Sequence, residues 1–328
     1  MPQINGQEVG PTGFGLMGFT WRPTPPPQDQ AFEAMRAALK NGMTFWNGGE
    51  FYGPPEYNSL VLLERYFAKY PEDADKVVLS IKGGYDSARG TLDSSPEGIR
   101  RSVDTTLKQL NGRKKLDIFE CARRDPKVPL EVTFGVLQEY IDKGLLGGIS
   151  LSEVSAATIH EAVKITKIVA VEVELSLFAT QVLQNGVAAA CAQYNIPLVA
   201  YSPVGRGMLT GQFKSYADIP KDSHIIHFPW FTPENFENNI QLVKQVEGLA
   251  AKKGCTPAQL AISWTRSLSK RPGMPVIIPI PGATTVDRVN ENSQFVEISD
   301  EEMDEIDATL AKFVVKGGRY PDGYPIET

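Results

Sequence analysis

The stretch TGFGLMGFTWRPTPPP, Thr12 to Pro27, decides between two α/β architectures. Within it GFGLMG, Gly13 to Gly18, matches G-x-G-x-x-G, the dinucleotide fingerprint of an open, doubly wound sheet. That fingerprint needs a strand before it and a helix that opens among the glycines and runs on, because the helix N-terminus holds the pyrophosphate. Here TWRPTPPP follows, and its four prolines lack amide donors and clash with a preceding helical turn. The segment reads instead as a short strand leading into an extended loop.

Outward from it, short apolar runs alternate with longer amphipathic ones. The strand candidates are TGFGLM, MTFWNG, VVLSIKGG, LDIFECA, GGISLS, VAVEVELS, PLVAYSPV and PVIIPIPG, beginning at Thr12, Met43, Val77, Leu116, Gly147, Val169, Pro197 and Pro275. Between them lie helical patterns such as DQAFEAMRAALKNG, SLVLLERYFAKY, SPEGIRRSVDTTLKQLNG, PLEVTFGVLQEYIDKG, AATIHEAVKITK and NGVAAACAQYN, several closed by Gly or Asn. Eight strand–helix units predict a closed (β/α)8 TIM barrel, with an open doubly wound sheet as the alternative. No Pro/Gly/Ser linker divides the chain, so residues 1–328 read as one domain. The longest irregular stretch, Gly205 to Phe236, follows the seventh strand, and loops of this length often act as lids or binding loops. Its Phe228, Trp230 and Phe231 either cover an aromatic ligand or anchor the loop to the barrel.

Composition narrows the function. Apolar residues make up 42% of the chain, enough for a large core. The 33 basic and 39 acidic residues give a net charge of −6 with no basic block, which argues against nucleic acid. No apolar run approaches the roughly 20 residues of a membrane span, and MPQINGQEVG lacks the basic and apolar regions of a secretion signal. Cys121, Cys191 and Cys255 are odd in number and far apart, so neither disulfides nor a clustered metal site is expected. A cytoplasmic protein is the expectation; the sequence leaves its oligomeric state open.

In such a barrel the chemistry sits at the C-terminal strand ends. These deliver Asn47, Glu50 and Tyr52; Lys82; Ala122, Arg123 and Arg124; Ser152 and Glu153; Glu172 and Glu174; Tyr201 and Ser202; and Gly282 with Thr284, Thr285 and Arg288. A tyrosine and a lysine on adjacent strand ends form a chemically sensible pair, since a cation beside a phenol favours phenolate. Such a phenol can protonate the alkoxide that forms when a hydride reaches a carbonyl.

The order FWNGGEFYG, SIKGG, SLSEVS, VEVELSLF, VAYSPVGRGMLTG and IPGATTVDRVNEN resembles the aldo-keto reductases, NADPH-linked enzymes on a TIM barrel, over nearly the whole chain. The resemblance implies that Tyr52 is the general acid, that Lys82 tunes it, and that Asn47 stands beside them. It implies a cofactor site in which Tyr201 stacks on the nicotinamide and Ser152 and Glu172 meet the carboxamide, Glu172 replacing a more usual glutamine, with Asn47 and Glu153 also at the cofactor. Gly18, Phe19, Ser202, Pro203, Gly205, Gly207 and Leu209 belong to the same implied site. Gly282, Thr284, Arg288, Glu291 and Asn292 match the adenosine 2′-phosphate and adenine end, where a guanidinium suits a phosphate and favours NADPH over NADH. Trp21, Glu50, Ala122 and Arg123 fall on the implied substrate side.

Two members of the family's Asp, Tyr, Lys, His tetrad are missing. Asn47 stands where the aspartate would be and Ala122 where the histidine would be, and a replacement histidine could come only from the long loop, as His224 or His227. An amide at position 47 should leave Lys82 less compensated and Tyr52 more acidic. WNGGEFYG with CARRDPKVP is similar to the pyridoxal reductase branch of the family, whose substrate carries a hydroxyl ortho to its aldehyde and so can donate a hydrogen bond to its own carbonyl. Reduction of pyridoxal to pyridoxine is the leading expectation. A general aromatic aldehyde or ketone reductase and an NADPH-binding regulatory subunit, resembling those of potassium channels, are the alternatives.

Overall fold

A computed structural model describes residues 1–328. Eight parallel strands pair in sequence order: β1 (Phe14–Gly15), β2 (Phe45–Gly49), β3 (Val78–Gly83), β4 (Leu116–Cys121), β5 (Leu146–Ser152), β6 (Ile168–Glu174), β7 (Leu198–Tyr201) and β8 (Ile277–Ile280). The seam between β8 and β1 closes through Gly13 N–H donating to Pro279 O (2.9 Å) and Gly15 N–H to Pro281 O (3.2 Å). The fold is therefore the (β/α)8 barrel, and GFGLMG supplies its first strand and a single helical turn, Met17–Thr20, that stops before the prolines.

Helices α1 (Gln28–Lys40), α2 (Ser59–Lys69), α3 (Pro96–Leu110), α4 (Leu130–Asp142), α5 (Ala156–Ile165) and α6 (Val187–Gln193) follow the first six strands. Their punctuation is local. Ser95 caps α3 by accepting from Gly98 N–H (3.1 Å), and Asn111 ends it in the left-handed conformation. Ala31, Phe32, Ala34, Met35 and Ala38 form the buried stripe of α1.

The segment after β7 is less irregular than the sequence suggested. Gly205–Thr210, Tyr216–Asp218, His224–His227 and Pro229–Phe231 are 3-10 turns, and α7 (Pro233–Lys253) already begins at Pro233. Thr232 caps that helix and Pro233 occupies its first turn, so TPENF is a helix start and not loop. Trp230 and Phe231 are buried in the main core, which makes them anchors; Phe228 is half-buried. The chain finishes with α8 (Pro257–Ser267), α9 (Val286–Ser293) and α10 (Asp300–Ala311).

The barrel interior is stratified. An N-terminal hairpin, Gln3–Ile4 with Gln7–Glu8, turns at Asn5 and Gly6, both with positive φ, and sends Ile4 into a small core with Phe45, Val78, Ile118, Ala170 and Ile278. Two residues further along three of these strands the inward positions become Asn47, Glu120 and Glu172. Apolar floor and charged mouth thus follow from the alternation of single strands. No helix is long and apolar enough to cross a membrane.

Candidate active site

FWNGGEFYG brings a tyrosine back over the end of its own strand. Tyr52 N–H donates to Gly49 O (3.2 Å), and Thr20 Oγ1 donates to Tyr52 O (2.5 Å). A methyl group on Gly49 would lie 3.0 Å from the Tyr52 ring. Gly53 has φ +110°, and a methyl there would come within 2.6 Å of Tyr57 O and 2.9 Å of Thr20 O. Both positions need glycine for the ring to lie where it does. Tyr52 is buried, with Trp21 stacked on it at 5.2 Å and 26° and Phe51 edge-on at 5.0 Å. Trp21 itself is 46% exposed, so it forms the outer wall of the mouth.

Beneath Tyr52 lies a fully buried polar cluster. Lys82 Nζ donates to Asn47 Oδ1 (2.9 Å) and pairs with Glu120 Oε1 (3.0 Å) and Glu172 Oε1. Asn47 Nδ2 donates to Glu120 Oε1 (3.0 Å) and to Glu172 Oε2 (2.6 Å), while Ser150 Oγ lies 3.1 Å from Glu120 Oε2. Burial alone would lower the Lys82 ammonium, but the Glu120 and Glu172 carboxylates outweigh it and hold the lysine above its usual range. Burial pushes the Tyr52 phenol up to about 12; Lys82 opposes this, and Glu172 and Glu120 reinforce it. This reverses the expectation drawn from Asn47. The charge absent from β2 is supplied by β4 and β6, so Lys82 is compensated and Tyr52 stays protonated near neutrality.

Glu120 was not among the residues singled out from the sequence. Its signal was present: an acid in the strand LDIFECA with inward parity to Ile118. Glu172 lies where the carboxamide contact was expected, but both its oxygens are engaged by Lys82 and Asn47. Burial and the neighbouring Glu120 raise its pKa against the pull of Lys82.

Ala122 is buried at the end of β4, and the charged groups acting on Tyr52 are Lys82, Glu172, Glu120 and Arg123, none of them histidine. His224 packs edge-on to Phe228 and neighbours Arg206, and His160 lies against Tyr194 OH (2.9 Å). Arg123 donates to Ala122 O and to Tyr320 OH (3.1 Å); its Nε is buried without a partner, and it forms no ion pair. Arg124 differs, being tied to Thr158 (3.0 Å), Glu161 (3.4 Å) and Glu327 (3.6 Å). Glu50 lies elsewhere, beside Ser102, Arg101 and Asp86, where burial raises its pKa to about 7.

The C-terminal segment also reaches the mouth, which the sequence reading did not anticipate. Arg319 is buried and pairs with Glu153 (2.8 Å) and Glu174 (3.1 Å); Arg206 pairs with Glu174 (2.7 Å) and donates to Arg319 O (2.8 Å). Tyr320 OH lies 2.8 Å from Tyr201 OH, and its ring stacks on Tyr324 at 4.5 Å. Burial would raise Glu153, but Arg319 overcomes it and holds the carboxyl at about 2. GGRYP, which opens on two glycines of which Gly317 has φ +85°, was the available signal.

The residues expected at the cofactor lie along one side of the mouth. Ser152 Oγ is buried with no hydrogen-bond partner, which is the condition a carboxamide would relieve. Ser202, Gly205, Arg206, Gly207 and Gly211 have positive φ, with Pro203, Gly205 and Leu209 buried. Thr285 caps α9, accepting from Arg288 N–H (3.4 Å), and the Arg288 side chain pairs with Glu291 (2.7 Å) on a partly exposed face. A methyl on Gly18 would sit 3.5 Å from the Thr284 side chain, and Gly282 bridges to Gly15, so the segments after the first and last barrel strands meet here. Phe19 is a core side chain packed edge-on to Phe14, and Asn292 is buried. No group of three or more His, Cys, Asp or Glu residues is placed to hold a metal ion.

A family model described as the aldo/keto reductase family matches residues 11–311. The chain is 45% identical to a fission yeast protein, from Schizosaccharomyces pombe, named "Probable pyridoxal reductase 2", over 98% of this chain and 97% of that one. It is 39% identical to the "Putative pyridoxal reductase" of Saccharomyces cerevisiae, over 94% and 95%. A glycerol dehydrogenase from Gluconobacter oxydans has the same fold, with a TM-score of 0.81 over 96% of each chain at 22% identity.

Proposed function

The chain belongs to the aldo/keto reductase family of oxidoreductases, and from that premise we propose that it reduces pyridoxal to pyridoxine with NADPH. The observation that carries the reaction type is Tyr52, a buried phenol held protonated beside an ammonium at the barrel mouth. The substrate rests on near full-length similarity to proteins named as pyridoxal reductases.

When bound, the cofactor supplies the hydride. Ser152 Oγ, Tyr201 and the backbone from Ser202 to Gly211 would hold its nicotinamide half, with Arg288, Glu291 and Asn292 at the other end. Tyr52 donates its proton to the alkoxide oxygen, and Lys82, anchored by Asn47, steadies the phenolate left behind. Trp21 covers the aromatic substrate from outside. Arg123, the mouth cation without a carboxylate partner, donates to the hydroxyl oxygen ortho to the aldehyde. That oxygen then sits where Ala122 leaves space. We place the activity in the cytosol, where the three free cysteines stay reduced.

The test is the rate of NADPH consumption with pyridoxal beside an aromatic aldehyde lacking the ortho hydroxyl. A preference for pyridoxal, with Tyr52→Phe losing on the order of a hundredfold or more in kcat while still binding NADPH, is expected. Equal turnover of the simple aldehyde would make the chain a general reductase. No turnover of either with NADPH bound would make it a binding subunit.

A further inference from the structure

The cluster under Tyr52 contains one more carboxylate than its single ammonium can neutralise. Glu120 and Glu172 come from β4 and β6, both contact Lys82 Nζ, and both accept from the same Asn47 amide, all within a barrel interior that excludes water. Two ionised carboxylates there would leave a buried net negative charge, which costs several kcal/mol. Two acids sharing a site respond by retaining one proton between them. Asn47 fits this arrangement and an aspartate would not, because a third carboxylate would face the same lysine. Its amide instead supplies one N–H to each glutamate and one acceptor to Lys82.

We infer that Glu120 is a positioning residue for the reduction: Glu120 and Glu172 share one proton and one negative charge, and together do for Lys82 what a single aspartate at position 47 would do. The departure at position 47 is then an exchange, in which the counter-charge moved from β2 to β4 and β6 and Asn47 became the connector. The charged groups facing Tyr52 and Lys82 are Glu120, Glu172 and Arg123, with Asn47 and Ser150 as the neutral partners. Burial and the proximity of Glu120 raise Glu172, in keeping with a retained proton.

This rests on Tyr52 being the acid for its catalytic meaning, but the charge state can be read without any substrate. Infrared difference spectra of the whole protein near neutral pH distinguish a protonated carboxylic acid from a carboxylate. With Glu50→Gln present throughout to remove the other carboxyl raised to about 7, the expected result is a protonated-acid band while the pair is intact that disappears in Glu120→Gln and also in Glu172→Gln, since the one carboxylate left is then neutralised by Lys82. Absence of the band while the pair is intact overturns the proposal, as does its survival in either variant. If Glu120→Gln does not fold, the band of the intact pair and Glu172→Gln still decide the matter. A chain that shows the band pattern but does not reduce pyridoxal would refute the substrate and leave the shared proton standing.

Discussion

At the scale of the residue, the mouth is built from charges whose partners can be counted. Arg206 and Arg319 have Glu174 and Glu153, and Lys82 has Glu120 and Glu172. Arg123 has a phenol, a carbonyl and an unpartnered Nε. A half-buried cation with an unpartnered donor is costly alone and attractive to an acceptor, and the hydroxyl oxygen ortho to the pyridoxal aldehyde is the acceptor the proposed substrate offers. Arg123→Met should therefore raise KM for pyridoxal by about 10- to 100-fold, the range of a charge-assisted hydrogen bond. With an aromatic aldehyde lacking the hydroxyl, the same change should raise KM far less. Steady-state kinetics on both substrates decide it: an equal rise with each would mean that Arg123 shapes the pocket without reading that oxygen.

At the scale of the element, the turn after β2 is the part whose sequence says most about its shape. Gly53 is required twice, by φ +110° and by the carbonyls of Tyr57 and Thr20 that close on it. Gly53→Ala should destabilise the protein by about 2 kcal/mol or more and lower kcat, because relief comes only by moving Tyr52 or the turn. A lower thermal midpoint with kcat intact would show that the turn yields without carrying the ring. The eight strands and their helices were legible because each has a local period and local punctuation, as SPEG and LNG show for α3. The N-terminal hairpin was missed although Asn5-Gly6 is a strong turn signal, since its strands are only two residues long. Glu120 was missed for a different reason. An acid on a strand reads as solvent-facing until one knows that the strand closes a barrel beside Lys82, and that pairing, Lys82 opposite Glu120, is set by register between strands 38 residues apart. Tyr52 and Lys82 were singled out because both stand at strand ends, which the barrel gathers at one mouth.

At the scale of the whole molecule, the barrel is closed at the floor by apolar side chains and at the mouth by ions, and the chain's last residues take part in the second closure. Arg319 reaches Glu153 and Glu174, Glu327 accepts from Ser155 N–H (2.9 Å) and from Thr158 Oγ1 (2.6 Å), and Thr328 meets Glu153. None of these contacts is local, so their strength depends on the whole fold being in place. The Glu153 carboxyl, held at about 2 when folded against about 4.5 when free, contributes stability that is fully present above its unfolded pKa and is lost as pH falls toward 2. The contribution is on the order of 3 kcal/mol by linkage. Arg319→Met removes the partner and leaves Glu153 buried and unpaired, which should cost about 3–5 kcal/mol near neutrality. Below the ordinary carboxylate range Glu153 is protonated in the variant, so the gap between variant and wild type should narrow steadily on acidification. Thermal melts of both proteins across that range measure it. A gap that stayed constant with pH would mean that Arg319 holds the C-terminal segment by packing against Tyr320, and that the ionic closure of the mouth carries none of the stability assigned to it.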